Sequence, residues 1–519
     1  MTTSRLRMAL ALVLAAWASA EPVLGGCPSN LEITASGLHV ARGATFRVLV
    51  EPPQGGRQMI GTATVIHPAG YLITASHIFE PAKVRAWFGN AGIRPGARVW
   101  LHRPKFEKEP IPGRVFAMRD NETTAPDLAI IRLDTVPKAT AIVADISLGL
   151  VATPTGRLEP ILDTTHSLTA VSYARDLGLD DQRVLRATPS IFRQGNRPII
   201  RLSIEDRQLG FFPRESGASV FGTDGVSIGV LLGFSEDEDM EQVGTRRVDH
   251  YRFTPAAYIA ETKWLTLLPR TDRVERIIAA FRQKASLPIE AQEDIRSLSQ
   301  LELWQLSNSV ATSTAGEFPG LDLWAYQSIH ARLVECRMFP TARTWVTRVG
   351  EPQFPDSHPQ SALDLGRAML SEFDRLPEQR RIQSPELVAA LLDQSLVSFR
   401  EFRIARARSA APDRFALAYF DHARAAHEAA KRAPPETAKS LRAEALLLAS
   451  RSSTLNPTST RTWELKSLIA LESSDLDGAI RFSEIALQST PSVDLATRLK
   501  KDHAYLKSIR ASQASRIGQ

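Results

Sequence analysis

The chain has 519 residues, 43% hydrophobic and 7% aromatic, a composition typical of folded globular domains rather than disordered chains. The formal net charge is +6, spread thinly over 63 basic residues, which disfavours a nucleic-acid-binding surface. Two cysteines exclude a disulfide framework, and a single pair between Cys27 and Cys336 stays open.

The N-terminal segment predicts export. Residues 1–20 place Arg5 and Arg7 ahead of a short apolar run that ends on Ala-Ser-Ala, the pattern of a secretory signal peptide. That run is too short to span a bilayer, so we expect an exported protein, periplasmic or secreted, with no transmembrane anchor. Residues 21–44 form a lead-in segment. The less favoured alternative is a lipoprotein attached through Cys27, which follows Leu-Gly-Gly.

Residues 45–268 consist of short runs of β-branched and aromatic residues broken by turn residues. Many short strands at this spacing predict an all-β domain, a barrel or a sandwich in two stacked halves. In chain order the runs are FRVLV, GTATVI, YLITAS, VRAWF, ARVWL, RVFAM, LAIIRL, LTAVSYA, RVLRATPS, RPIIRLSI, SVF, VSIGVLLGF and YRFT.

Residues 269–519 change to longer runs whose apolar positions have helical spacing, such as DRVERIIAAFRQKA and DRFALAYFDHARAAHEAAKR. Ser384 before Pro385 predicts a helix start, because proline lacks the N–H that a first helical turn leaves unpaired. This half is therefore predicted to be all-α, with loops near residues 313–320 and 349–362.

The segment near residues 437–491 carries a repeat signal. Trp463, Ala479, Ala486 and Pro491 resemble the pattern of a tetratricopeptide (TPR) helix pair, in which small alanines let two helices pack closely and a proline stops the second. The resemblance implies a TPR-like repeat for binding a protein partner. An unrelated helical hairpin is the alternative.

Three polar residues in the β-region predict nucleophilic catalysis. His77 follows the strand in YLITASH, Asp127 opens the apolar strand DLAIIRL, and Ser216 lies in a glycine-bearing turn before SVF. A serine hydroxyl becomes a nucleophile when a histidine removes its proton, and an acid fixes the tautomer of that histidine. Each residue alone has an ordinary interpretation, but the set in this order predicts a triad.

These contexts, TASH at His77, DLAIIRL at Asp127 and ESGAS around Ser216, resemble the trypsin-like (chymotrypsin-fold) serine proteases, in particular bacterial HtrA-like peptidases. The resemblance covers residues 40–265 and implies a double β-barrel with serine endopeptidase activity. It implies that Ser216 is the nucleophile, that His77 is the general base and then acid, and that Asp127 orients His77. Asp134, at the far end of the same strand, is a fallback acid.

The same resemblance assigns an oxyanion hole to the backbone N–H groups of Arg214 and Ser216, and substrate-backbone contacts to Leu231, Leu232 and Gly233. The loop departs from the family, which has glycine where Arg214 stands. Glycine lets the N–H face the oxyanion without a side chain in the way, and losing one such donor lowers turnover roughly 10²- to 10³-fold.

Three functions stay open. The first is an active exported endopeptidase whose helical half binds substrates or partners, the second a catalytically inactive protease-fold binding protein, and the third an adaptor whose helical repeats do the main work. We expect protein or peptide partners and no nucleic acid. The sequence has neither metal-ligand spacing of His, Cys and carboxylates nor a Gly-rich phosphate loop, so no cofactor and no metal is expected.

Overall fold

The computed structural model describes most of the chain. The described residues are 33–80, 84, 93–118, 127–136, 142–162, 168–173, 182–194, 197–204, 216–233, 250–283, 287–314, 316–407, 415–490 and 492–517. The first described element is α1 (Ala35–Ala44), whose N-terminus is capped by the side chain of Thr34.

Six antiparallel strands close into the first barrel. They are β1 (Thr45–Val50), β2 (Gln58–His67), β3 (Tyr71–Thr74), β4 (Arg98–His102), β5 (Ile111–Met118) and β6 (Ala129–Leu133). Their order around the barrel is β1, β2, β3, β6, β5, β4, and β4 returns to pair with β1. Short β-branched runs suit this geometry because alternate side chains, among them Phe46, Leu72 and Ile131, fill the interior.

A connecting segment and a second closed sheet follow. The segment at 142–162 includes a small hairpin of β7 (Leu150–Ala152) and β8 (Leu158–Pro160). The second closed sheet has the order β10, β11, β14, β13, β12, β9. Its strands are β9 (Leu168–Tyr173), β10 (Gln182–Gln194), β11 (Arg197–Ile204), β12 (Ser219–Phe221), β13 (Ser227–Gly233) and β14 (His250–Pro255).

The two closed sheets contact each other through β1 and β2 on one side and β9 and β12 on the other. The guanidinium of Arg47 lies over the ring of Tyr173, 4.8 Å from its centroid. The backbone N–H of Thr62 donates to the carbonyl of Ser216 over 3.0 Å. The turn that carries Ser216 is therefore attached to a strand of the first barrel.

Helices make up the rest of the described chain. They are α2 (Trp264–Leu267), α3 (Asp272–Arg282), α4 (Ile289–Ser297), α5 (Gln300–Ala311), α6 (Leu323–Glu335), α7 (Phe339–Trp345), α8 (Glu351–Gln353), α9 (His358–Arg375), α10 (Glu378–Gln383), α11 (Pro385–Ala407), α12 (Ala416–Ala430), α13 (Pro435–Leu455), α14 (Thr460–Glu472), α15 (Leu476–Gln488) and α16 (Val493–Ile517). Neighbours such as α9 and α11, α12 and α13, and α14 and α15 pack as pairs. Among the described residues, no helix is long and apolar enough to cross a membrane.

The helical region is attached to the β-region through the connecting segment. Helices α7 and α11 contact β7, α11 also contacts β8, and α10 contacts β10. The N–H of Leu150 donates to the carbonyl of Arg337 over 3.0 Å. The helices are thus packed on the chain that joins the two closed sheets.

The predicted β-barrel domain followed by an all-α region is confirmed, and one local prediction is wrong. The predicted loop at 349–362 is largely helical: residues 346–350 form a π-helical turn, α8 follows, and α9 begins at His358. The prolines misled the prediction because Pro359 occupies a first-turn position, where proline costs no hydrogen bond, and Pro352 follows the π-helical turn within continuous helix. Most of the predicted strand VRAWF and the cysteine Cys27 lie outside the described residues.

The predicted repeat segment forms helices, but its assignment to the TPR family stays a prediction. Trp463 lies on α14, and Ala479 and Ala486 are fully buried on α15. Small buried side chains at these positions let α14 and α15 approach closely. Pro491 lies outside the described residues.

Candidate functional site

His77 lies in a single 3₁₀ turn, Ser76–Phe79, that follows β3. Ile78 and Phe79 are buried and anchor this turn to the barrel core. The imidazole itself stays 37% exposed. Because Ile78 and Phe79 are buried directly after His77, the turn holds the histidine at the barrel surface.

Asp127 makes two hydrogen bonds to His77. Its Oδ2 lies 2.6 Å from the imidazole Nδ1, and its Oδ1 accepts the backbone N–H of His77 over 2.9 Å. The strand register explains the meeting: Thr74 pairs with Ala129, so residues beyond Thr74 lie opposite residues just before β6. Because Asp127 engages Nδ1, the proton of a neutral imidazole is held there and Nε2 is left as the basic nitrogen.

The charge state of Asp127 follows from the same contacts. Burial raises the pKa of its carboxyl, but the hydrogen bond and charge interaction with His77, together with backbone N–H groups of His77 and Ser76, outweigh burial. The pKa of Asp127 therefore lies below its ordinary value. An ionised carboxylate at this position can stabilise a protonated imidazole.

Ser216 opens the turn before β12, and Gly217 sets the conformation of that turn. Gly217 has φ +85°, and its N–H donates to the carbonyl of Leu231 over 2.8 Å. A Cβ at this position would overlap the carbonyl of Thr62 and the hydroxyl of Thr74. Only glycine meets both requirements, a left-handed backbone and a contact this close.

The surroundings of Ser216 are mainly backbone. Its carbonyl accepts from Thr62, and its hydroxyl donates to the carbonyl of Leu232 over a long 3.4 Å. A Cβ on Gly61 would lie 2.9 Å from both the Ser216 carbonyl oxygen and the Cδ1 of Ile78. Ser216 and the turn of His77 thus contact the same glycine from two sides.

The predicted substrate strand is the end of β13. Leu231 is fully buried, and both of its backbone groups are used inside the sheet, with Ala218 and Gly217 as partners. Leu232 is half-buried and accepts the Ser216 hydroxyl, and the backbone of Gly233 pairs with Arg252 after a register shift. The substrate-binding role of Leu231, Leu232 and Gly233 stays a prediction.

Three further residues singled out in the sequence, Asp134, Arg214 and Cys336, are not among the described contacts of His77, Asp127 and Ser216. Asp134 lies beyond the far end of β6, where its Oδ1 accepts from the Nε of Arg114 over 3.3 Å. Arg214 lies outside the described residues, so its predicted oxyanion role stays a prediction. Cys336 is half-buried and has no disulfide partner within the described residues, and burial raises the pKa of its thiol to about 11.

Sequence reasoning missed Asp145, in the connecting segment. Its carboxylate accepts the backbone N–H groups of Ile146 and, 155 residues on, of Gln300 at the start of α5. Its backbone carbonyl accepts the N–H of Ser227, the first residue of β13. Asp145 therefore joins the helical region to the strand that contacts Ser216. No local sequence pattern could have identified Asp145, because its hydrogen-bond partner Gln300 is so distant along the chain.

The site holds no candidate metal centre in the part of the chain that is described: no three His, Cys, Asp or Glu side chains are grouped for a metal ion there. What remains is a histidine and an aspartate joined by two hydrogen bonds on the first barrel, and on the second closed sheet a serine that is held by backbone contacts and whose hydroxyl donates to the carbonyl of Leu232. The described residues define a class of protein, a β-barrel domain carrying a His–Asp pair and followed by a large helical region.

Comparisons with known proteins give matches among solved structures but not among family models or curated proteins. No family model matches this chain, and no curated protein matches it. Among solved structures, the HtrA-type protease AlgW with decapeptide is 14% identical, with a TM-score of 0.28, covering 51% of this chain and 76% of that chain. The HtrA-type protease AlgWS227A with decapeptide is 15% identical, with the same TM-score, covering 51% of this chain and 74% of that one. At this level of similarity, neither carries a conclusion about this chain.

Proposed function

We propose that the protein is an exported serine endopeptidase of the trypsin-like, HtrA-like type that cleaves peptide bonds in protein or peptide substrates. The observation that carries the proposal is the double hydrogen bond between His77 and Asp127. A carboxylate on Nδ1 orients the imidazole and leaves Nε2 to accept a proton, which is the arrangement that general-base catalysis requires.

In this mechanism Nε2 of His77 takes the proton of the Ser216 hydroxyl as its oxygen attacks the substrate carbonyl carbon. Asp127 stays ionised and stabilises the imidazolium. The backbone N–H groups of Ser216 and Arg214 stabilise the tetrahedral oxyanion. His77 then gives its proton to the leaving amine, and the acyl-enzyme that remains is hydrolysed by a water molecule that His77 activates in turn.

The remaining parts of the proposal concern location and partners. The signal-peptide pattern of residues 1–20 favours a periplasmic or secreted protein. The helical pairs, including the TPR-like pair α14 and α15, offer a surface for substrates or partner proteins. Substrate backbone would lie along the Leu232–Gly233 end of β13.

A second function has two observations in its favour. The Ser216 hydroxyl donates to the carbonyl of Leu232, and a non-glycine residue stands at position 214. Both features suit a catalytically inactive protease-fold protein that binds peptides and uses its helices as an adaptor.

Cleavage of unfolded casein by the purified protein separates the two functions. We expect cleavage by the native protein and none by Ser216→Ala. The matched control is Ser219→Ala, because Ser219 lies three residues on, is fully buried, and its hydroxyl has no hydrogen-bond partner in the part of the chain that the structure describes. No cleavage by the native protein, with peptide binding retained by both variants, would favour the inactive binding protein.

A further inference from the structure

Three arginines lie in register on neighbouring strands of the first barrel. Arg98 on β4 pairs with Arg114 on β5, and Arg114 pairs with Arg132 on β6. All three are exposed, so they share the outer face of the barrel. We name Arg98, Arg114 and Arg132 the arginine row.

The arginine row concentrates positive charge. Residues directly opposite on antiparallel strands have Cβ atoms about 5 Å apart, and like charges in such pairs are destabilising. Among the described residues, Asp134 is the only carboxylate that pairs with the row, through Arg114. Arg98 and Arg132 have no ion pair within the described part of the chain. An anion bound here would relieve the repulsion.

A surface depression lies at two members of the row. It measures about 380 Å³ and is lined by Arg114, Arg132 and Asp134, with Gly96, Phe116 and the strand backbone completing its walls. That volume is in the range of small-ligand sites and too small for a polymer to enter lengthwise. The depression favours a compact ligand over a nucleic acid strand.

Aromatic rings support two guanidinium groups of the row, those of Arg98 and Arg132. Arg132 lies 5.7 Å from the ring centroid of Tyr71, and Tyr71 makes an edge contact with Phe116 at 5.2 Å. Arg98 lies 6.0 Å from the ring of Trp100. A guanidinium lying on a ring keeps its in-plane N–H groups free for a ligand, and this preorganisation reduces the entropy lost on binding.

We propose that the arginine row is a binding site for a small phosphate-bearing anion. Guanidinium forks pair with phosphate oxygens through two parallel hydrogen bonds, and a phosphate group carries close to two negative charges at neutral pH. That charge suits the row, in which Arg114 and Arg132 line the depression and Arg98 lies beside Arg114 on the next strand. The site lies about 17 Å along β6 from Asp127, so it is separate from the proposed catalytic residues.

Isothermal titration calorimetry with sodium pyrophosphate tests the site on the full-length protein. We expect saturable binding that weakens about tenfold or more in Arg132→Gln and further in Arg114→Gln/Arg132→Gln. The control is Arg461→Gln, an exposed arginine on α14 whose loss changes the net charge by the same single unit as Arg132→Gln. Loss of the repulsion should leave the melting temperature of the double variant unchanged or raised, which verifies that it is folded.

Vesicles of phosphatidylcholine with phosphatidic acid distinguish a lipid headgroup from a soluble phosphate as the source of the ligand. Binding of vesicles or of pyrophosphate that depends on the arginine row supports the site. The proposal is overturned if neither probe binds, or if Arg461→Gln weakens binding as much as Arg132→Gln does. These experiments measure binding and not casein cleavage, so their outcome does not depend on whether the protein is a peptidase.

Discussion

The two sides of the candidate site are built differently. On the first barrel, His77 and Asp127 are fixed by contacts that involve side chains, two hydrogen bonds set up by the register of β3 and β6. On the second closed sheet, Ser216 is positioned almost entirely by backbone, through Gly217 and the carbonyl contact with Thr62. Changes on the first side should therefore alter chemistry, and changes on the second should alter the fold of the turn.

The contact between helices and β13 adds a third influence on the site. Asp145 holds the start of α5 with its carboxylate and the start of β13 with its carbonyl. The end of that strand contacts Ser216. Replacing Asp145 should affect the site less than replacing His77, Asp127 or Gly217. Asp145 acts only through β13, which β12 and β14 also hold in place.

The largest expected effect is on the first side. Asp127→Asn removes the ionised acceptor for Nδ1 and allows the wrong tautomer, so we expect the rate of fluorophosphonate labelling to fall by about 10⁴-fold. The control is Asp134→Asn, an aspartate beyond the far end of the same strand, which should label at the native rate. Equal losses in both variants would contradict the assignment of Asp127.

The pH dependence of stability offers a second readout for Asp127. Its pKa is depressed in the folded protein, so its contribution is present above the ordinary aspartate pKa of about 3.9 and is lost as the pH falls through the folded value. The melting-temperature difference between the native protein and Asp127→Asn should therefore shrink on acidification below about pH 4.

The next effect is on the second side. Gly217→Ala adds a Cβ that overlaps Thr62 and Thr74 at a residue with positive φ, so we expect a loss of about 4 kcal/mol in the free energy of unfolding. Gly156→Ala is the control, since Gly156 has φ +80° but open space around its Cβ position. That variant should lose only about 1 kcal/mol, the cost of the backbone conformation. Urea titrations measure both losses. Equal losses of unfolding free energy in Gly217→Ala and Gly156→Ala would contradict the crowding at Gly217.

The smallest effect concerns Asp145. Burial raises the pKa of its carboxyl to about 6, although N–H donors from Gln300, Ile146 and Leu301 oppose the shift and Glu302 adds to it. A raised pKa means that the contribution is full below about pH 4 and is lost as the pH rises through about 6.

Asp145→Asn removes this titration. Between pH 4 and pH 7, the native protein should lose up to about 3 kcal/mol of unfolding free energy relative to Asp145→Asn. Denaturant titrations of both proteins at several pH values measure the difference. A native protein that gains stability relative to the variant over this range would contradict the raised pKa.

Local patterns in the sequence predicted much of the fold. Short β-branched runs predicted the barrel strands, and TASH and DLAIIRL predicted two residues, His77 and Asp127, that the structure joins by hydrogen bonds. The catalytic roles of these residues and of Ser216 stay predictions. The helical turns at 346–362 were missed because prolines within helices, such as Pro352 and Pro359, have the same local signal as loop prolines.

Long-range contacts could not be predicted. Asp145 and Gln300 are 155 residues apart, and neither residue belongs to a motif. The fit of Gly217 against Thr62 and Thr74 depends on two sheets meeting face to face, which the local sequence does not encode. Packing between domains sets both features.

The most direct test of the central claim is to label the folded protein with a fluorophosphonate and map the adduct by mass spectrometry. A serine peptidase predicts one adduct on Ser216, formed at a rate that falls sharply in His77→Ala. An absence of adduct on Ser216 in the folded protein, or labelling there that is unchanged by His77→Ala, would contradict it.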